Sequence, residues 1–148
     1  MPTPKFVQIN ESWNAEPNAP EPVVRPEGED VVLEFYLNPF IYPNFKEDEK
    51  GFLRFRSASK YRLGPTNDEG WYRGQCRYGK VAPAWGQFYE LQGCDSLIDL
   101  PNDWHTVTTA DPGSQRHFLF YFRDHTFEAL ADAWVFDSNP QNALLRAA

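Results

Sequence analysis

Residues 116–136 read RHFLFYFRDHTFEALADAWVF, and two architectures compete for them. The first half is unambiguous: Phe118 to Phe122 form a short apolar run, the pattern of a strand buried on both faces. In the second half, Phe127, Leu130, Ala131 and Trp134 have the spacing of one helical face. Asp124-His125 can equally be a turn that returns the chain into a strand over 126–130. Because the preceding strand ends abruptly, the hairpin is favoured over the helix.

The flanking sequence agrees with a sheet. Residues 31–37 (VVLEFYL) are rich in β-branched and aromatic side chains and predict a strong strand. Residues 52–56 (FLRFR) alternate, with Leu53 and Phe55 on one face and Arg54 and Arg56 on the other. In 59–63 (SKYRL), Lys60 and Arg62 lie opposite Tyr61. Further strands are expected at 4–9, 71–79, 84–92, 96–100 and 104–109, and a short final helix at 139–147. Pro17, Pro20, Pro22 and Pro26 fall within about 11–30, where missing backbone donors exclude a helix or a central strand. That stretch reads as an extended arm or an edge-hugging connection, with Trp13, Val23 and Val24 as its packing residues.

The count is seven to nine short strands against one or two short helices, with turn signals every 8–12 residues. The expected fold is mainly β, an antiparallel sandwich or barrel-like sheet, with α+β as the alternative. At 148 residues the chain fits a single domain able to bury its own core. Apolar residues make up 41% and aromatics 16%, which excludes a disordered chain. No apolar run is long enough for a membrane-spanning helix. The opening MPTPKFVQIN lacks a basic segment followed by an apolar one, so the cytoplasm is the expected compartment. Cys76 and Cys94 form no Cys-x-x-Cys pair, and reduced thiols are expected.

The net charge of −7 is unevenly spread. Residues 1–50 carry 4 basic and 10 acidic side chains, whereas residues 51–100 carry 7 and 5. Acidity on average repels nucleic acid and steers basic partners inward. Serine-nucleophile and phosphate-cradle motifs are absent, and His105, His117 and His125 have no metal-ligand spacing. No catalytic residue, metal or cofactor is therefore expected. A dispersed site of histidines and carboxylates, brought together only by folding, stays open as an enzymatic alternative.

Two surfaces qualify for binding. The turn carrying Glu47, Asp48 and Glu49, together with Asp99 and Asp103 near Trp104, offers acidic contacts for a basic protein. Phe40, Tyr42 and Phe45 crowd a proline-broken loop beside that turn and suit interface anchors. The alternative is a basic–aromatic face over 54–80, with Arg54, Arg56, Arg62, Trp71, Tyr72 and Arg73 placed to hold nucleic acid or a phosphate ligand. Against it stands the reading that these arginines pack on aromatic edges and pair with the chain's own carboxylates.

The blocks GWYRGQCRYGKVAPAWGQFYEL (70–91) and RHFLFYFRDHTFEALADAW (116–134) resemble segments of small bacterial proteins of unassigned function. In size, acidity and lack of catalytic motifs the chain is similar to immunity proteins that neutralise polymorphic toxins. That resemblance implies a cytoplasmic binding protein whose partner is a basic toxin domain.

Overall fold

The structure is a computed structural model, and it describes residues 5–65, 78, 82–93 and 104–138. Two antiparallel sheets face one another and are not closed into a barrel. The strands are β1 (Lys5–Gln8), β2 (Val23–Glu27), β3 (Asp30–Tyr36), β4 (Lys50–Arg56), β5 (Lys60–Gly64), β6 (Phe88–Gln92), β7 (His105–Thr106), β8 (Arg116–Tyr121), β9 (Thr126–Ala131) and β10 (Ala133–Asp137). One sheet runs β1-β6-β8-β9-β5-β7, and the other runs β10-β4-β3-β2.

Residues 126–136 are strand throughout, apart from a break at Asp132. The β8–β9 hairpin closes with Phe122 N donating to His125 O at 2.8 Å, and Tyr121 pairs with Thr126. At Asp132 the chain leaves one sheet for the other, and the Asp132 N–H donates to Arg56 O at 2.9 Å. The helical spacing of Phe127, Leu130, Ala131 and Trp134 is thus an accident of two strands read as one element. β4 and β5 change sheets in the same way across Ser57–Ser59.

Alternation along the strands divides the faces. Val31, Leu33, Phe35, Leu53, Phe55, Phe118, Phe120, Phe127 and Ala129 meet between the sheets with Trp13. Burying such side chains contributes roughly 1.5–3 kcal/mol each. β8 is buried on both faces, as its apolar run requires. Its outward residues Leu119 and Tyr121 join a second cluster with Tyr78, Tyr89 and Leu91.

The expected strands at 84–92 and 104–109 are shorter in the structure, Phe88–Gln92 and His105–Thr106. Before β6 the chain is a loop in which Gly86 takes φ +80°, a conformation that strand pairing does not use. Within the arm, β2 forms the free edge of its sheet, so Pro26 removes no ladder hydrogen bond from an inner strand. The arm's first half hugs the end of β3. Glu16 N donates to Tyr36 O, Tyr36 N to Pro20 O, and Asn38 N to Asn14 O. The strands expected at 71–79 and 96–100 and the helix at 139–147 lie outside the described residues, as do Cys76 and Cys94.

Candidate binding surface

Packing of the arm against the sheet ends gives this end of the sandwich its relief. Three grooves run along residues 14–22 of the arm. The first, about 290 Å³, lies between the arm and the 37–49 loop, lined by Glu16, Glu21, Tyr36, Phe40, Glu47 and Asp48 among others. No lysine, arginine or histidine is among the described residues that line it. On the ridge beside it, Phe40 is 71% exposed and Ile41 67%, the most exposed large apolar side chains among the described residues. Asn38 builds that ridge, its Oδ1 accepting from Phe40 N (2.9 Å) and Ile41 N (3.3 Å).

The second groove, about 220 Å³, lies across the ridge against the β6 and β8 ends, and includes Ile41, Trp85, Gln87 and Tyr121. The third holds Glu21, Asp124 and His125.

Elsewhere the charges are paired. On the outer face of the four-stranded sheet, Glu34 takes Arg25 (3.1 Å) and Lys50 (3.2 Å), and Arg54 binds Asp30 (3.1 Å) and Glu27. Three carboxylates and three cations there compensate one another. Burial works against the charge on Glu34, but the hydrogen bonds from Arg25 and Lys50 outweigh it and hold its carboxyl below the usual 4.5. Arg116 is likewise held above its usual range by its hydrogen bond to Glu90. The groove carboxylates Glu16, Glu21, Glu47 and Asp48 take part in none of these pairs.

A buried ionic group occupies the outer face of the six-stranded sheet. Glu128, 1% exposed, accepts from Arg62 Nε (2.8 Å) and Nη2 on one oxygen and meets His117 Nε2 (2.7 Å) with the other. Trp104 covers the Arg62 guanidinium at 4.7 Å from the ring centroid. None of the three grooves is lined by any of these four residues. Histidine and carboxylate therefore do converge, without a described cleft in front of them. The hairpin register carries the signal for this meeting. Leu119 faces Glu128 directly, so His117 two residues away is its diagonal neighbour on the same face.

The sequence-derived residues separate accordingly. Glu47 and Asp48 come together with Phe40 in the acidic groove, while Glu49 is half-buried and does not line it. Trp104 packs on Lys60 and Arg62 of the six-stranded sheet and does not line the groove that holds Glu47 and Asp48. Asp99, Asp103, Trp71, Tyr72 and Arg73 lie outside the described residues. Arg54 and Arg62 do not share a face: they lie on opposite sheets, both buried and both bound to carboxylates. Arg56 is half-buried beside Arg54's strand neighbours. Sequence reasoning missed Glu16 and Glu21, whose place beside the 47–48 turn follows only from the arm's return to β3.

Among the described residues, no group of three or more His, Cys, Asp or Glu side chains is arranged to hold a metal ion, and no helix is long and apolar enough to cross a membrane. Comparisons with family models, with curated proteins and with solved structures find no match.

Proposed function

We propose that the protein works by binding a partner protein with a basic surface, and performs no chemistry of its own. One observation carries this reading: four carboxylates, with no lysine, arginine or histidine among the described lining residues, share a groove whose rim is an exposed phenylalanine. Uncompensated negative charge accelerates encounter with a basic surface and rejects acidic ones. An exposed aromatic beside it supplies the desolvated anchor on which interface affinity concentrates. The ion pairs on the sheet face consume charge locally, and Glu16 is turned to the arm's own N–H groups, whereas Glu21, Glu47 and Asp48 leave their charge available to a second molecule.

The most concrete form of this reading is an immunity-type protein that occludes a basic toxin domain in the bacterial cytoplasm. Acidity, size and the resemblance in kind support that form. The test is capture from lysate of the native host, comparing wild type with Glu47→Lys/Asp48→Lys and with Phe40→Ala. Wild type is expected to retain one near-stoichiometric basic protein after nuclease treatment, and both variants to lose it. Equal retention by all three proteins, or nuclease-sensitive nucleic acid as the main ligand, contradicts the proposal.

A further inference from the structure

The second groove has a chemistry opposite to the first. Asn14, Asn38 and Gln87 all line it, and each has its side-chain carbonyl already engaged. Asn14 Oδ1 accepts from Ala15 N at 2.8 Å. Asn38 Oδ1 accepts from Phe40 and Ile41, and Gln87 Oε1 accepts from Gln8 (3.1 Å) and Asn10 (3.0 Å). Those bonds fix which end of each amide is oxygen, so each NH₂ is left as the available end. None of the three nitrogens has a hydrogen-bond partner among the described residues. Asn38 is only 3% exposed as a residue, yet its Nδ2 is not among the fully buried atoms without a partner, so the NH₂ keeps access to the surface.

Arg123 adds a guanidinium to the same lining, with Nη1 donating to Asn18 O at 3.1 Å. Glu16 is the one carboxylate there, and it is turned to the arm's own N–H groups at Asn18 and Ala19. The remaining wall is apolar: Ile41, Phe122 and Trp85, the last stacked on Tyr121 with centroids 5.0 Å apart. A lining that combines hydrogen-bond donors with aromatic and aliphatic side chains suits a ligand that accepts hydrogen bonds at one end and is apolar at the other. The volume falls below that of pockets enclosing drug-sized ligands, so it suits a small acid or the last residue of a chain.

We infer that this groove binds a carboxylate attached to an apolar body, supplied either by a free acyl-amino acid or by a protein C-terminus. The inference is independent of the basic partner, since it rests on a different groove whose donors and aromatic residues the acidic groove does not use, although Glu16 lines both. Charge-assisted hydrogen bonds from the three amides and Arg123 hold the carboxylate, and the Trp85–Tyr121 pair and Ile41 hold the apolar side chain.

Nuclear magnetic resonance of the ¹⁵N-labelled protein reads this directly. N-acetyl-phenylalanine is expected to shift the side-chain NH₂ signals of Asn14, Asn38 and Gln87, while N-acetyl-phenylalaninamide leaves them in place. A short peptide ending in a free phenylalanine, tested beside its amidated form, distinguishes the two sources by which carboxylate binds tighter. Asn38→Asp keeps the oxygen that holds the ridge and replaces the donor by an acceptor. It should weaken the acid about tenfold or more. Arg123→Gln, at an exposed position, should weaken it with no demand on folding. Equal binding of acid and amide overturns the inference, as does the absence of any shift at millimolar ligand or full affinity in both variants.

Discussion

The indole of Trp13 lies flat on the ring of Phe136, with centroids 4.2 Å apart and planes within 2°. This stack pins the proline-rich arm to β10 and so to the floor of the sandwich. Trp13 also meets Phe35, Phe88 and Phe120, which places it against both sheets. The grooves therefore have a rigid wall, because the arm that forms it is anchored in the core.

Trp13→Ala is expected to destabilise the fold by about 3–5 kcal/mol, the cost of removing a large buried aromatic. Urea unfolding measures that loss. Hydrogen exchange should show faster exchange at Tyr36 and Asn38, whose N–H groups donate to the arm's Pro20 and Asn14 carbonyls. An unchanged midpoint would mean that the arm is not held by this residue.

The arm's packing also marks where sequence reading stops. The β-branched and aromatic content of 31–37 and the apolar run 118–122 were enough to place two strands, because each pattern is local. The break at Asp132 moves the inward phase from Phe127, Ala129 and Ala131 to Trp134 and Phe136, and in the sequence that shift merges with a helical spacing, so two strands were not legible there. Glu47 and Asp48 were readable as exposed turn residues. Their grouping with Glu16 and Glu21 depends on backbone pairing between residues about twenty positions apart, such as Tyr36 with Pro20. The available NH₂ of Asn38 follows from a loop conformation that no spacing encodes.

Glu128 carries the second prediction. Glu128→Ala leaves the buried Arg62 without the carboxylate that binds it through Nε and Nη2, and should cost about 3–5 kcal/mol. Arg25→Ala, which removes the partly exposed pairs to both Glu27 and Glu34, should cost at most about 1 kcal/mol per pair. Chemical denaturation of both variants checks the contrast, and equal losses would mean the buried group is solvated in solution.

Glu34 gives a pH dependence of defined sign. Its folded-state carboxyl lies below the usual 4.5, so its pairing stabilises the protein above that value. The contribution fades as pH falls through the folded-state value. Wild type should exceed Glu34→Gln in stability at neutral pH, and the gap should close in acid. Because Arg25 and Lys50 are partly exposed, the gap should stay below about 1 kcal/mol. Thermal unfolding of both proteins from neutral pH down to acid reads it, and a gap that widens in acid contradicts the assignment.

Gly51 tests the packing between β4 and β10. A Cβ there would stand 2.9 Å from both Leu37 Cδ2 and Phe136 Cε2. Gly51→Ala should destabilise by about 1–3 kcal/mol through overpacking. A gain in stability, as expected for a glycine with open space, would show that the core yields at this point.

The acidic groove is the claim on which the functional account rests, and general acidity is its rival. The partner's affinity should be measured for wild type, for Glu47→Lys/Asp48→Lys, and for Glu11→Lys/Glu29→Lys, which alters exposed carboxylates that line no described groove. Both variants change the net charge equally. Binding is compared between about 50 and 200 mM salt. The account predicts at least a tenfold loss and a flatter salt dependence for the groove variant, with little change in the control. Equal losses in the two variants, or none in either, would show that the groove does not hold the partner.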